Sequence, residues 1–251
     1  MSDDDYSKYE NLTFDKFREL AAADDLSSHQ KVGFPDAYRE GRETAIFRDI
    51  LEKLPVGRLQ NANVLEIGPG CSRLPLLLAD ACEQQGHQLF LIDSEEMLAQ
   101  LPDRPFQHKV AGRFPAVPAF LREQAGSMDL ILAYSVIQYP FEEGGFWPFF
   151  DAALALLREG GYFLIGDIPN ASMRKRFFAS EAGVRFHQQF TGSEEKPDVR
   201  FNRLESGAID DSVVLAMLGR ARAAGFHAWV LAQGADLPMA NRREDILVHR
   251  P

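Results

Sequence analysis

The chain has little sulfur and little positive charge. Its only cysteines, Cys71 and Cys82, are too few for a disulfide framework and form no Cys-x-x-Cys metal pair. A reducing, cytoplasmic compartment is therefore expected, with no metal staple. Lys and Arg number 27 against 37 Asp and Glu, a net charge of -10 over 251 residues. Duplex binding draws most of its affinity from cations that neutralise phosphates, so this balance argues against a broad nucleic-acid surface and leaves room only for a local basic patch. No run approaches the roughly twenty apolar residues of a membrane span. The opening Met1 to Tyr6, with three aspartates, lacks the basic and apolar regions of a signal peptide. No internal repeat or low-complexity tract is present. What remains is 45% apolar and 11% aromatic, enough for one domain burying roughly three-quarters of its unfolded surface.

Periodicity supplies the elements. Phe14, Phe17 and Ala21 fall at helical spacing behind a cap at Thr13. A second helix is expected from about Tyr38 to Leu54, closed by Pro55. From Asn63 the pattern alternates: strands at 63–67, 88–93, 108–110, 130–134 and 162–165, with helices at 74–85, 95–101 and 146–157, the last ended by Gly160-Gly161. Short apolar strands alternating with helices predict an α/β fold, a mostly parallel, doubly wound sheet covered by helices on both faces. A helix from Ser212 to Ala224, capped by Asp211 or Ser212, precedes two strands at 227–231 and 245–249, placed to pair antiparallel at the end of the sheet.

The sharpest motif is Val64-Leu65-Glu66-Ile67-Gly68-Pro69-Gly70-Cys71-Ser72. Glycines at a strand's end let backbone pass close beneath a ligand, and the following helix offers free N–H groups. Asp93 ends the next strand, where its carboxylate can accept both hydroxyls of a ribose. A dinucleotide fingerprint needs a third small residue where this chain has Arg73, which argues against NAD or FAD.

Across residues 60–250 the chain resembles the class I S-adenosylmethionine-dependent methyltransferases. Glu66-Ile67-Gly68-Pro69-Gly70 is similar to their first motif and Leu91 to Leu98, through Asp93, to their second. Met128 to Ser135 and Leu157 to Ile165 match their fourth and fifth strands. The resemblance implies a seven-stranded Rossmann-like sheet and S-adenosylmethionine as cofactor. It places Glu66, Gly68, Pro69 and Gly70 at the methionine part and Asp93 on the ribose. Ser94 and Met97 would lie on the adenosine side, with Phe114 as an apolar wall and Ser135 nearby. Many relatives carry an Asp after the third strand to accept from adenine. Arg113 stands there and cannot accept.

Methyl transfer from a sulfonium chiefly needs an aligned acceptor in a dry site, and a hydroxyl acceptor also benefits from a base. Asp167, after the fifth strand, is the first candidate base and His187 the alternative. Tyr134, Gln138, Tyr139 and Asn170 are expected at the acceptor. Arg174 and Arg176, with Lys175, Arg200 and Arg203, form a basic platform for an anionic acceptor, against the plainer reading of a solvated helix face. A metal-dependent mechanism is disfavoured because Tyr134 and Ser135 end the fourth strand. Residues 1–60 are expected as a helical cap and 61–251 as the cofactor-binding domain, with a lid or substrate insertion at about 170–210. The expected partner is a small molecule, with no nucleic acid and no membrane; oligomeric state is not written in the sequence. The tail 241–248 and the 166–170 and 186–192 stretches resemble methyltransferases of bacterial sugar and surface-glycan biosynthesis, implying a hydroxyl of a sugar or nucleotide-sugar as acceptor. The alternatives are N-methylation of a small amine or amino-sugar and a cofactor-binding protein without turnover.

Overall fold

The computed structural model describes residues 12–34 and 41–251. Among the described residues three helices come first: α1 (Phe14–Ala22), α2 (Ser28–Lys31) and α3 (Glu43–Lys53). Thr13 caps α1 by accepting from Lys16 N at 3.2 Å. The expected start of α3 near Tyr38 lies outside the described residues; its end before Pro55 agrees with the sequence. The alternating unit follows as β1 (Asn63–Ile67), α4 (Arg73–Gln85), β2 (Gln88–Asp93), α5 (Glu95–Leu98), β3 (Gln107–Ala111), α6 (Pro118–Glu123), β4 (Met128–Tyr134), α7 (Gln138–Glu142), α8 (Phe146–Leu156) and β5 (Leu157–Pro169). Then come α9 (Ala171–Ala179), α10 (Glu181–Thr191), α11 (Asp211–Ala223), β6 (His227–Ala232) and β7 (Arg243–His249).

The strands form one sheet in the order β3-β2-β1-β4-β5-β7-β6. The first five are parallel, and β7 inserts antiparallel between β5 and β6. Side-chain alternation divides the core in two. Ile131, Ala133, Phe163 and Ile165 pack with Phe149 and Phe150 of α8 and with Val214 and Met217 of α11. Leu130, Leu132 and Leu164 face the other way, onto Ile46 and Ile50 of α3 and Leu74 and Leu78 of α4. A parallel sheet must be covered on both faces, which is why β4 is buried throughout.

Some boundaries depart from the sequence reading. α5 spans one turn, not the expected 95–101. Gly160 and Gly161 do not end α8; β5 begins directly at Leu157 and runs through both. A Cβ on Gly161 would stand 2.9 Å from the Met128 carbonyl oxygen, so glycine here permits close strand approach where the β4–β5 register shifts. α6 and α7 are short and carry no periodic signal of their own. The cap of α11 is Asp210, one residue earlier than expected, accepting from Ser212 N at 3.0 Å and Val213 N at 3.2 Å. The first half of the 170–210 stretch is two helices, α9 and α10, and the rest is irregular.

Candidate functional site

The carboxyl ends of β1, β2 and β4 meet in one cavity. Gly68 and Gly70 both adopt left-handed backbone, at φ 68° and 66°. A Cβ at Gly68 would meet Val136 Cγ2 at 2.7 Å, and one at Gly70 would meet Val32 Cγ1 at 2.6 Å. Only glycine fits both the conformation and the space. Pro69, Asp93, Met97, Phe114, Tyr134, Ser135 and Tyr139 complete the part of the lining that the sequence had singled out.

Electrostatics single out two carboxylates beneath this cavity. Asp93 accepts from Gly70 N at 3.1 Å and from Ser94 N at 2.7 Å. Burial nevertheless pushes its carboxyl up to about 6. Glu66 lies one residue before the lining Ile67, buried, with Oε2 unpartnered. Burial, and secondarily the charge of Asp93, push it up to about 8. A buried acceptor without a donor is costly unless a ligand or water completes it.

The sequence predicts a helical cap from residues 1–60 but assigns no residue to the wall opposite the glycines. Phe14 and Phe17 of α1, with Val32 and Phe34, close over the cavity. Phe17 meets Tyr139 edge-on at 4.8 Å. Val136, Pro140 and Glu143 around α7 add a further side. Arg113 pairs with Glu143, and Glu143 also accepts from Phe14 N at 3.3 Å. Arg18 clamps Glu96 of α5 at 2.7 Å, holding that carboxyl down at about 2. With these side chains in place the cavity encloses about 150 Å³, below the roughly 300–1,000 Å³ usual for small-ligand pockets. The only available sign of this wall in the sequence was the Phe14/Phe17 spacing, which indicated a helix and not its target.

Several expected site residues stand behind or away from the cavity. Ser94 is buried as the cap of α5, accepting from Met97 N at 3.2 Å. Gln138 donates to the Ser135 carbonyl at 2.8 Å and so supports the turn after β4. Asn170 is buried: it caps α9 through Met173 N at 3.0 Å and donates to Asp211 and Glu244. Arg176 is occupied by Asp211 at 2.5 Å. Arg174 and His187 line a separate groove beside α9 and α10. A base must reach the proton it takes, so His187 does not serve the glycine cavity as placed.

Asp167 is 3% exposed and does not line the cavity. It sits in left-handed backbone at φ 60°, where the β5–β7 register shifts. One carboxylate oxygen accepts from the Ser135 hydroxyl and from Arg243 at 3.0 Å; the other accepts from Gln233 at 3.4 Å. Its own N–H donates to Asp245 at 2.8 Å, and Asp245 accepts from Lys53, which also holds Asp49. The expectation of Asp167 as a direct base is thus corrected: its oxygens are turned onto protein donors, and Ser135 is the group it presents to the cavity.

Among the described residues no group of three or more His, Cys, Asp or Glu could hold a metal ion, and no helix is long and apolar enough to cross a membrane.

No known family profile and no curated protein matches the sequence. Solved structures do match in shape. A SAM-dependent methyltransferase from Aquifex aeolicus is 13% identical, with 88% of this chain and 96% of that chain covered and a TM-score of 0.52. Phosphoethanolamine N-methyltransferase 1 of Haemonchus contortus, solved with phosphoethanolamine and S-adenosylhomocysteine, is 17% identical at a TM-score of 0.57; 94% of this chain covers 49% of it. The methyltransferase domain of bacterial CtHen1-CN is 14% identical over 84% and 97%, at a TM-score of 0.51. The architecture is therefore the Rossmann-like fold of the class I S-adenosylmethionine-dependent methyltransferases, with its mixed seven-stranded sheet.

Proposed function

We propose that the protein is an S-adenosylmethionine-dependent methyltransferase acting on a hydroxyl of a small molecule, with a sugar or nucleotide-sugar as the favoured class. The observation that carries this reading is the joining of Gly68, Gly70 and Asp93 in one cavity beside the buried Glu66, whose Oε2 has no partner. The residues fit the cofactor: left-handed glycines leave room at the backbone, Asp93 offers oxygens to a ribose, and two carboxyls raised by burial gain from a positively charged ligand. Met97 and Phe114 provide apolar surface for the base.

When bound, S-adenosylmethionine supplies a methyl group already activated by its sulfonium. The protein's work is positioning and exclusion of water. Phe14, Phe17, Val32 and Phe34 form the cap over the cavity. Ser135, in the cavity lining, directs its own proton to Asp167. A proton lost by the acceptor then has the Ser135–Asp167 pair as its route. Arg243, Gln233 and Asp245 hold Asp167 in place for that task.

Thermal denaturation with candidate ligands tests the proposal. S-adenosylhomocysteine at 100 times its Kd should add about 2.7 kcal/mol of stability and raise the melting temperature by several degrees, whereas NAD should leave it unchanged. Stabilisation by NAD and none by S-adenosylhomocysteine would reject it. Incubation with methyl-labelled cofactor and fractionated metabolites then identifies the acceptor.

A further inference from the structure

The groove beside α9 and α10 is chemically unlike the glycine cavity. Arg174 and Lys175 from α9, His187 from α10, and Arg200 and Arg203 from the returning segment line one space of about 670 Å³. Only two carboxylates, Asp198 and Glu205, share that lining. Glu205 is held by Arg174 at 2.5 Å and by Lys175 at 3.2 Å, and Asp198 lies 3.2 Å from Arg200. The Arg203 guanidinium has no carboxylate partner among the described residues, although its carbonyl accepts from Lys175 at 2.5 Å. Four permanent cations against two carboxylates leave two positive charges in excess, in a chain whose net charge is -10. Two is close to the charge of a phosphate monoester at neutral pH, about -1.5 to -2.

The same groove has an apolar side. Phe178, Pro197, Val199 and Leu204 line it, and Leu204 is 86% exposed. Phe201, in the same returning segment, is 57% exposed. Large apolar side chains left in water beside a cationic rim mark a surface awaiting a partly apolar ligand.

We propose that this groove binds a phosphate monoester carrying an apolar or aromatic body, with Arg200 and Arg203 on the phosphate and Val199 and Leu204 against the body. Arginine's planar fork suits paired contacts with phosphate oxygens. α9 begins immediately after β5, whose Asp167 accepts from Ser135 at the glycine cavity. The binding chemistry itself does not depend on methyl transfer.

The test uses the whole protein without cofactor and 1-naphthyl phosphate as probe, followed by calorimetry. Saturable binding at least tenfold tighter than that of inorganic phosphate is expected, with no binding of 1-naphthol. Arg203→Ala and, separately, Arg200→Ala should weaken it at least tenfold while leaving the melting temperature unchanged, since both side chains are exposed. No saturable binding, or equal affinity in both variants, overturns the proposal. Phosphatidic acid vesicles separate the two sources of a phosphate monoester. Cosedimentation that naphthyl phosphate competes away supports the groove with a lipid as its ligand. Naphthyl phosphate binding without cosedimentation supports the groove with a soluble ligand. Cosedimentation with no binding of naphthyl phosphate overturns it. S-adenosylhomocysteine is titrated in parallel: naphthyl phosphate binding without S-adenosylhomocysteine binding keeps the groove and rejects the methyltransferase reading.

Discussion

The glycine cavity and the groove beside α9 treat charge in opposite ways. At the cavity, Glu66 is buried and Asp93 partly so, no cation among the described residues is paired with either, and both carboxyls are displaced upward. Along the groove, cations and carboxylates sit in water as ion pairs such as Arg174–Glu205 and Arg200–Asp198. A desolvated carboxylate is poised for a specific counter-charge at high energy, whereas a solvated pair exchanges partners at little cost. The first arrangement suits a ligand recognised in one geometry. The second suits one drawn in by charge and fixed by shape.

The largest effect should come from removing the buried side of this contrast. Asp93→Ala is expected to weaken S-adenosylhomocysteine binding at least a hundredfold by calorimetry, because the other carboxylate of the lining, Glu143, is held by Arg113 and Phe14 N; unchanged affinity would break the comparison. Gly70→Ala should come next, with both the left-handed backbone and the 2.6 Å approach of Val32 against it. Much of the deficit should be restored in Gly70→Ala with Val32→Ala if steric closure of the cap is the cause, and none if strain alone is. Asp167→Asn is expected to lower kcat at least tenfold and to change cofactor affinity less than threefold, since the route proposed for Asp167 runs through Ser135.

Acidity sharpens the contrast further. An acid whose pKa is raised in the folded protein holds its proton there after the unfolded chain has released it. Stability attributable to Glu66 therefore falls as pH rises from about 4.5 through about 8. Glu66→Gln should flatten that decline in melting curves of the protein alone, and an unchanged slope would remove Glu66 as its source. The smallest effect belongs to the solvated side: Arg176→Ala, which breaks an exposed pair with Asp211, should cost less than about 1 kcal/mol, and the loss should shrink in high salt.

How far the sequence revealed all this depends on the range of the contact. The Gly68-Pro69-Gly70 turn, Asp93 and the sheet were legible because strand, turn and helix each follow from neighbouring residues. The elements that escaped were those decided by distant partners. Phe14 and Phe17 marked a helix, yet their packing over Tyr139 and the glycines depends on a chain reversal no local pattern encodes. Asp167 was correctly placed at the end of a strand, but Arg243 and Gln233, which occupy its oxygens, come from more than sixty residues later. Arg174 and Arg176 looked alike in the sequence; helix phase sends one to the groove and the other to Asp211. The sequence carried no sign that Gly160-Gly161 would continue a strand instead of ending a helix, because the deciding atoms are the carbonyls of Met128 and Asp129.

The hydrogen bond from Phe14 N to Glu143 joins residues 129 positions apart. Contacts of such long range form late, since loop closure must be paid for before they stabilise anything. The βα units that carry the glycines and Asp93 can assemble from near neighbours, while the cover over them waits for β4 and α7 to be in place. The cover over the site therefore closes only once β4 and α7 hold Glu143 within reach of α1.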